Sequence, residues 1–288
     1  MARMQTPPQS MRVISTNKEM YQACREAAQP IGLVPTMGAL HAGHLSLVDQ
    51  ARADNITVVV SIFVNPTQFG DKADLEKYPR DLAGDLEMLR RRGVDFVYAP
   101  TVDEVYPEGF DTWIDMGPLA GKLEGLHRPG HFRGVATVVS KLFNVTSPSR
   151  AYFGQKDGQQ TVVIQKLVRD LDLDVEVVVM PTIREPDGLA MSSRNIRLSP
   201  EQRQAAPVVY RALCRARILW MQGEQNGDAL RGAAQTILQA EPMVDSVDYV
   251  SVTSMATMDE MDQVEGRAMV SAAVYMDSVR LIDNILLE

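Results

Sequence analysis

The segment Ile56–Val64 (ITVVVSIFV) is apolar throughout except for Thr57 and Ser61, and it is rich in β-branched side chains. A strand with one face in water alternates apolar and polar residues, because successive side chains point to opposite sides. An unbroken apolar run is expected of a strand covered on both faces, the position of a central strand in a parallel sheet. Shorter runs of the same kind occur at Ile31–Pro35, Val94–Tyr98, Arg150–Phe153 and Val175–Met180. Amphipathic stretches at His44–Ala53, Arg80–Arg92, Gly134–Asn144 and Gln159–Leu171 separate them and read as helices. This alternation predicts an α/β protein with a Rossmann-like, doubly wound parallel sheet and right-handed crossovers.

After about Pro181 the texture changes. Glu201–Gln222 and Asp228–Ala240 read as helices, followed by short strands near Ser246–Val252, Ala268–Val274 and Val279–Ile282. Helices followed by closely spaced strands suggest a smaller C-terminal α+β domain. The expected division is a first domain over residues 1–182 and a lid domain over 183–288. Residues 1–10 (MARMQTPPQS) lack the apolar core of a signal peptide and read as a loose extension.

The net charge of −8 argues against a nucleic-acid partner, which would need a basic stripe to neutralise a phosphate backbone. No apolar run reaches membrane-spanning length. The two cysteines, Cys24 and Cys214, have no metal-ligand spacing and point to a reducing, cytoplasmic setting.

Ligands of open α/β sheets bind beyond the carboxyl ends of the strands, so the loops there carry the chemistry. Pro35–His44 (PTMGALHAGH) follows the first such strand and leads into a helix. A helix N-terminus attracts phosphate, Gly38 and Gly43 permit close backbone approach, and His41 and His44 add imidazole donors. The bland reading is a turn whose histidines cap the helix; the place after a strand makes the two readings about equal. Phe153–Gln160 (FGQKDGQQ) follows another strand. Lys156, one of only seven lysines, is a compact mobile cation suited to phosphate, although on local grounds alone a solvated surface turn, favoured by Gly154, Asp157 and Gly158, is the preferred reading. The loop Arg184–Asn195 (REPDGLAMSSRN) puts Ser192 and Ser193 beside Arg194, a polyphosphate clamp or an ordinary linker turn. Gln68, in NPTQF, lies on the same side of the expected sheet. Asp85 is a weaker candidate for a magnesium contact. The cationic stretch Leu126–Arg133 (LHRPGHFR) reads as a loop, with a lid or a subunit contact as the alternative.

Taken together and in order, PTMGALHAGH, VSIFVNPTQF, RPGHFRGV, FGQKDGQQ and REPDGLAMSSRN resemble the pantoate–β-alanine ligase family, within the adenylate-forming enzymes of the HIGH/KMSKS type. The resemblance runs from about Met11 to the C-terminus and is densest in Ile31–Leu198. It implies an ATP-dependent condensation of pantoate with β-alanine through a pantoyl adenylate, with Mg²⁺, in a cytoplasmic homodimer. It also implies that Met37, Gly38, Ala39, Leu40, His41, Ala42, Gly43 and His44 line ATP, with His44 and His41 as catalytic histidines beside Lys156. Gly154, Gln155, Lys156 and Asp157 would contact the nucleotide, Ile183 would lie at the adenine, and Met191, Ser192, Ser193 and Arg194 would clamp phosphates. Gln68 and Gln160 would hold pantoate. Three positions depart from the family pattern: Gly158 where an aromatic residue is usual, Gln155 where Glu is usual, and Thr67 where Met is usual. Gly158 is expected to loosen the loop that aims Lys156. A nucleotidyltransferase of the same superfamily and a non-catalytic nucleotide-binding module are the alternatives. The paired glutamines lean against the first, and retention of Lys156 and both histidines against the second.

Overall fold

The computed structural model describes residues 11–288, so the expected loose extension lies outside the described residues. Six strands form one parallel sheet: β1 (Arg12–Ile14), β2 (Ile31–Thr36), β3 (Thr57–Ile62), β4 (Phe96–Tyr98), β5 (Arg150–Gly154) and β6 (Glu176–Met180). Their spatial order is β1-β4-β3-β2-β5-β6, and every neighbouring pair is parallel. Beside it stands a three-stranded antiparallel sheet of β7 (Ser246–Ser254), β8 (Ala268–Met276) and β9 (Val279–Leu287).

Neighbouring residues of the central strands feed opposite cores. Leu33 and Val59 join one apolar cluster, while Val34, Val58 and Val60 join another. The first cluster is filled by α1 (Asn17–Glu26), α7 (His131–Thr146) and α8 (Gly158–Asp170), through Met20, Val135, Val139, Val163 and Leu167. The second is filled by α2 (Ala42–Asp54) and α4 (Leu82–Arg91), through Leu45, Val48 and Leu89. Short helices α3 (Lys72–Glu76), α5 (Val102–Val105) and α6 (Glu124–His127) sit in the connections. Two-sided cover is therefore why Ile56–Val64 reads as an unbroken apolar run. The smaller sheet packs its own core against α10 (Val208–Met221) and α11 (Gly227–Gln239), with Leu213, Leu230, Leu238 and Val270 fully buried.

Two helices and one edge of the sheet differ from the sequence reading. The helix expected over Glu201–Gln222 is two helices, α9 (Pro200–Ala205) and α10, because Pro207 lacks an N–H and its ring opposes continuation; it caps α10 instead. Helix α7 begins at His131, before Gly134. Gly130, with φ 82, turns the chain into it. Gly134 lies inside the helix, and its lack of a side chain admits the Thr67 backbone: a Cβ there would stand 2.6 Å from the Thr67 carbonyl oxygen. Strand β1 and helix α1, absent from the sequence reading, complete one edge of the parallel sheet. No helix among the described residues is long and apolar enough to cross a membrane.

Candidate active site

Strands β2 and β5 are adjacent, and the order of the sheet reverses between them: β3 follows on one side of β2 and β6 on the other side of β5. At such a switch point the following loops diverge and leave a crevice at the carboxyl ends of the strands. The loop after β2 carries Met37–His44, and the turn after β5 carries Lys156. The loop after β3 carries Gln68, and the chain after β6 carries Ile183 and the Met191–Arg194 segment. A cavity of about 170 Å³ is lined by Met37, His41, His44, Gln68, Lys156 and Arg194, and also by Gly43, Gly154, Asp157, Gln160, Ile183, Met191, Ser192 and Ser193. A larger one, of about 470 Å³, continues from Lys156, Asp157, Ser192 and Arg194 toward β9. Residues far apart in sequence thus meet around one cleft.

Gly38, Ala39, Leu40, Ala42 and Gln155 are not part of that lining. The Gly38 N–H donates to Thr36 Oγ1, and the Ala39 and Leu40 N–H groups donate to the Asp85 carboxylate at 2.9 and 2.8 Å. These amides are therefore spent on shaping the loop and do not face a phosphate. Gly38 has φ 80, and a Cβ there would lie 3.0 Å from Asp85. Asp85, read from sequence as a candidate magnesium contact, is instead the buried post on which the histidine loop hangs. Burial raises its carboxyl pKa, against the two amide hydrogen bonds. Gln155 turns to β9, where its Nε2 donates to Asn284 Oδ1 at 2.8 Å.

The two histidines do cap α2. The Gly43 N–H donates to His41 Nδ1 at 3.1 Å, and the His41 N–H donates to His44 Nδ1 at 3.4 Å. A neutral imidazole with an accepting Nδ1 carries its proton on Nε2, so each ring keeps one N–H donor in addition to its capping bond. Burial, then the Lys156 charge, pulls His41 down to about 4; burial, then His41, pulls His44 down to about 3. Both are neutral donors at neutral pH, in keeping with the imidazole-donor reading.

Two further cleft residues, Arg128 and His131, come from the stretch read as a plain loop. His131 Nδ1 lies 2.8 Å from the Gln68 carbonyl oxygen and donates to it, and Arg128 donates to the same oxygen at 3.2 Å. Burial, then Arg128, lowers His131 to about 4. The sequence did hold a signal here, since His131 is one of only four histidines. Tyr78 and Asp74 had none. Ser193 Oγ donates to Tyr78 Oη at 3.2 Å, and Asp74 pairs with Arg194 at 2.9 Å and Arg197 at 2.8 Å. Burial raises the Asp74 pKa, but the two guanidinium groups outweigh it and hold the carboxyl below its usual range. Arg184 is held bidentate by buried Asp283 and stacks on Tyr210, 3.8 Å from the ring centre. Thr67 Oγ1 donates to Asn65 Oδ1 at 2.9 Å and lies 3.2 Å from the Tyr106 hydroxyl, so its departure is absorbed by a local polar cluster.

The lowered histidines make stability depend on pH. In the unfolded chain each imidazole titrates near about 6.5. Below that pH the unfolded chain binds protons that the folded chain refuses, down to about 4 for His41 and His131 and about 3 for His44. This contribution is fully present above about pH 6.5 and is lost as pH falls toward about 4. Melting curves between those limits should show Tm dropping by several degrees. The drop should be smaller in His131→Gln; a Tm that is flat over the window contradicts the assignment.

A parallel sheet with histidines and a lysine at its switch point, faced by a Ser–Ser–Arg loop, has the architecture of the HIGH-motif superfamily. The chain matches the pantoate–β-alanine ligase family model over residues 9–286 and belongs to that family. It is 56% identical to the pantothenate synthetase of Roseiflexus castenholzii over 279 residues, covering 96% of this chain and 100% of the relative. It is 55% identical to that of Chloroflexus aggregans over the same shares. Among solved structures, the pantothenate synthetase of Thermus thermophilus superposes with a TM-score of 0.91 at 47% identity, over 96% of this chain and 99% of the other. The Francisella tularensis pantoate–β-alanine ligase, complexed with β-γ ATP and β-alanine, gives 0.78 at 35% identity, over 96% and 97%.

Proposed function

We propose that this chain condenses (R)-pantoate with β-alanine, using ATP and releasing AMP and pyrophosphate through a pantoyl adenylate. The observation that carries the reading is the convergence of His41 and His44, Lys156, and Ser192–Arg194 on one cleft that also contains Gln68 and Gln160. Membership of the ligase family supports the choice of substrates.

Both substrates of the first step are anions. As the pantoate carboxylate attacks the α-phosphorus, charge moves onto the departing pyrophosphate. Lys156 and Arg194 offset that charge, and the neutral histidines donate Nε2–H bonds that need no reorganisation. Arg194 must exchange Asp74 for phosphate, so nucleotide binding competes with an existing ion pair. Gln68 and Gln160 hold the hydroxy acid through their amides. In the second step the amine attacks the activated acyl carbon, and AMP leaves.

Among the described residues no group of three or more His, Cys, Asp or Glu side chains is placed to hold a metal ion. Asp85 already accepts two amides. Asp157, a carboxylate of the cleft lining, would be the side chain available to Mg²⁺ carried in with the nucleotide phosphates. When bound, the cation neutralises phosphate charge. Residues 183–288 serve as a lid that keeps water from the adenylate. A cytoplasmic location and a homodimeric assembly belong to the same reading and rest on family membership.

The test is product analysis. With ATP, Mg²⁺, pantoate and β-alanine, AMP, pyrophosphate and pantothenate should appear in equal amounts. Pyrophosphate release should require pantoate but not β-alanine in a single turnover. Release of ADP would sink the adenylate route, and nucleotidyl transfer without amide formation would favour a nucleotidyltransferase.

A further inference from the structure

The turn that presents Lys156 has no cap of its own. The 3₁₀ turn Gln155–Asp157 carries no side-chain cap hydrogen bond at its start, and neither does α8, which follows it. Both helical starts therefore lack the usual local restraint. The restraint comes from β9. Asn284 Nδ2 donates to the carbonyl oxygens of Gln155 and Lys156, at 2.9 Å each, from a position 128 and 129 residues away along the chain. Its Oδ1 accepts from Gln155 Nε2 at 2.8 Å. Asn284 is 4% exposed; these bonds use both of its N–H donors and engage its oxygen.

Close approach makes the tie feasible. Gly158, the first residue of α8, has ordinary helical φ of −54. Its neighbours lie close: a Cβ there would press on Met269 Sδ of β8 and lie 3.0 Å from both Asn284 Nδ2 and Gln155 Nε2, so a larger residue would have to displace these side-chain ends. The missing side chain lets the antiparallel sheet seat directly on the lysine turn. The slack expected at Gly158 is met by the Asn284 bonds to the same turn. Buried Asp283 accepts from the Asn284 N–H at 2.8 Å and is itself held by Arg184, which anchors the donor strand.

We propose that Asn284 is a positioning residue for Lys156: by gripping the two carbonyls that flank the Lys156 Cα, it fixes the direction in which the lysine leaves the turn. This rests on the reading of Lys156 as the cation that faces phosphate. No other residue type of this size both donates twice and accepts once in one plane. Aspartate would set an acceptor against two acceptors, and alanine would leave the carbonyls without a partner.

The experiment is a double-mutant cycle on pyrophosphate release at saturating ATP and pantoate, with Mg²⁺. Asn284→Ala should lower kcat about 10- to 100-fold, the scale expected for a misdirected catalytic group. The KM for pantoate should stay within about twofold, since Gln68 and Gln160 are untouched. In a Lys156→Ala background the same change should cost less than about twofold, because there is no lysine left to aim. Equal losses in both backgrounds would show general damage and overturn the proposal, as would full turnover in Asn284→Ala. If Asn284→Ala does not fold, Gln155→Ala decides by the same criterion. It removes the third bond from a half-buried side chain and should cost a few-fold only when Lys156 is present. A wild-type chain that releases no pyrophosphate overturns the function itself. A working wild type with an indifferent Asn284 overturns only the positioning role.

Discussion

Lys156→Ala should lower pyrophosphate release by roughly two or more orders of magnitude, the scale of losing one preorganised donor at a site of developing charge. Lys156 lines both cavities described above, and its side chain is only 21% exposed. Among the described residues its one ion pair is with the neighbouring Asp157, at 3.6 Å, a loose contact that lets the ammonium follow a phosphate. The change should hit kcat more than the KM for pantoate. Melting temperature should hardly move, because the turn is held by Asn284 through backbone carbonyls and not through the lysine side chain. Stopped-flow or coupled pyrophosphate assays with parallel thermal melts check both halves. Near-normal turnover would mean that the negative charge is met elsewhere.

His44→Ala should cost a similar factor, about 100-fold or more, for a double reason. It removes a cleft-lining imidazole, and it leaves the His41 N–H without its cap. The His41 ring, whose centre lies 4.1 Å from that of His44, also loses its neighbour. His44→Gln separates the two effects, since an amide oxygen can accept the His41 N–H while its NH₂ group donates. Partial recovery in Gln relative to Ala is expected. Because both rings are neutral well above their lowered pKa values of about 4 and about 3, the kcat profile should show no histidine inflection between about pH 5.5 and 8. An inflection near about 6.5 that disappears in His44→Gln would contradict the neutral assignment.

Much of this site was legible because its chemistry sits in strand-end loops, and such loops are continuous in sequence. The apolar run at β3 announces itself within about ten residues, whereas the histidines after β2 and the lysine after β5 gain meaning only with the other motifs in order. The place of Gln68 after the long apolar strand puts it on the ligand side, and it lines the cleft; Gln160, which lines it too, entered only through the family resemblance. Less legible were the residues whose meaning comes from a distant partner. Asp85 reads as one helical carboxylate among many until the Ala39 and Leu40 amides are seen upon it. Asp74 and Tyr78 belong to an unremarkable polar segment, yet they hold the Ser193–Arg194 loop. Gly158 looks like a source of slack, and Met269 turns it into a close contact.

The order of residue types along the chain determined the class of fold and the kinds of group available to the cleft, because periodicity and turn chemistry are local properties. Folding decided the protonation of the histidines, the partner of Arg194 and the tie from β9 to the lysine turn. Those depend on burial and on contacts across more than a hundred residues, and local sequence carries no record of either.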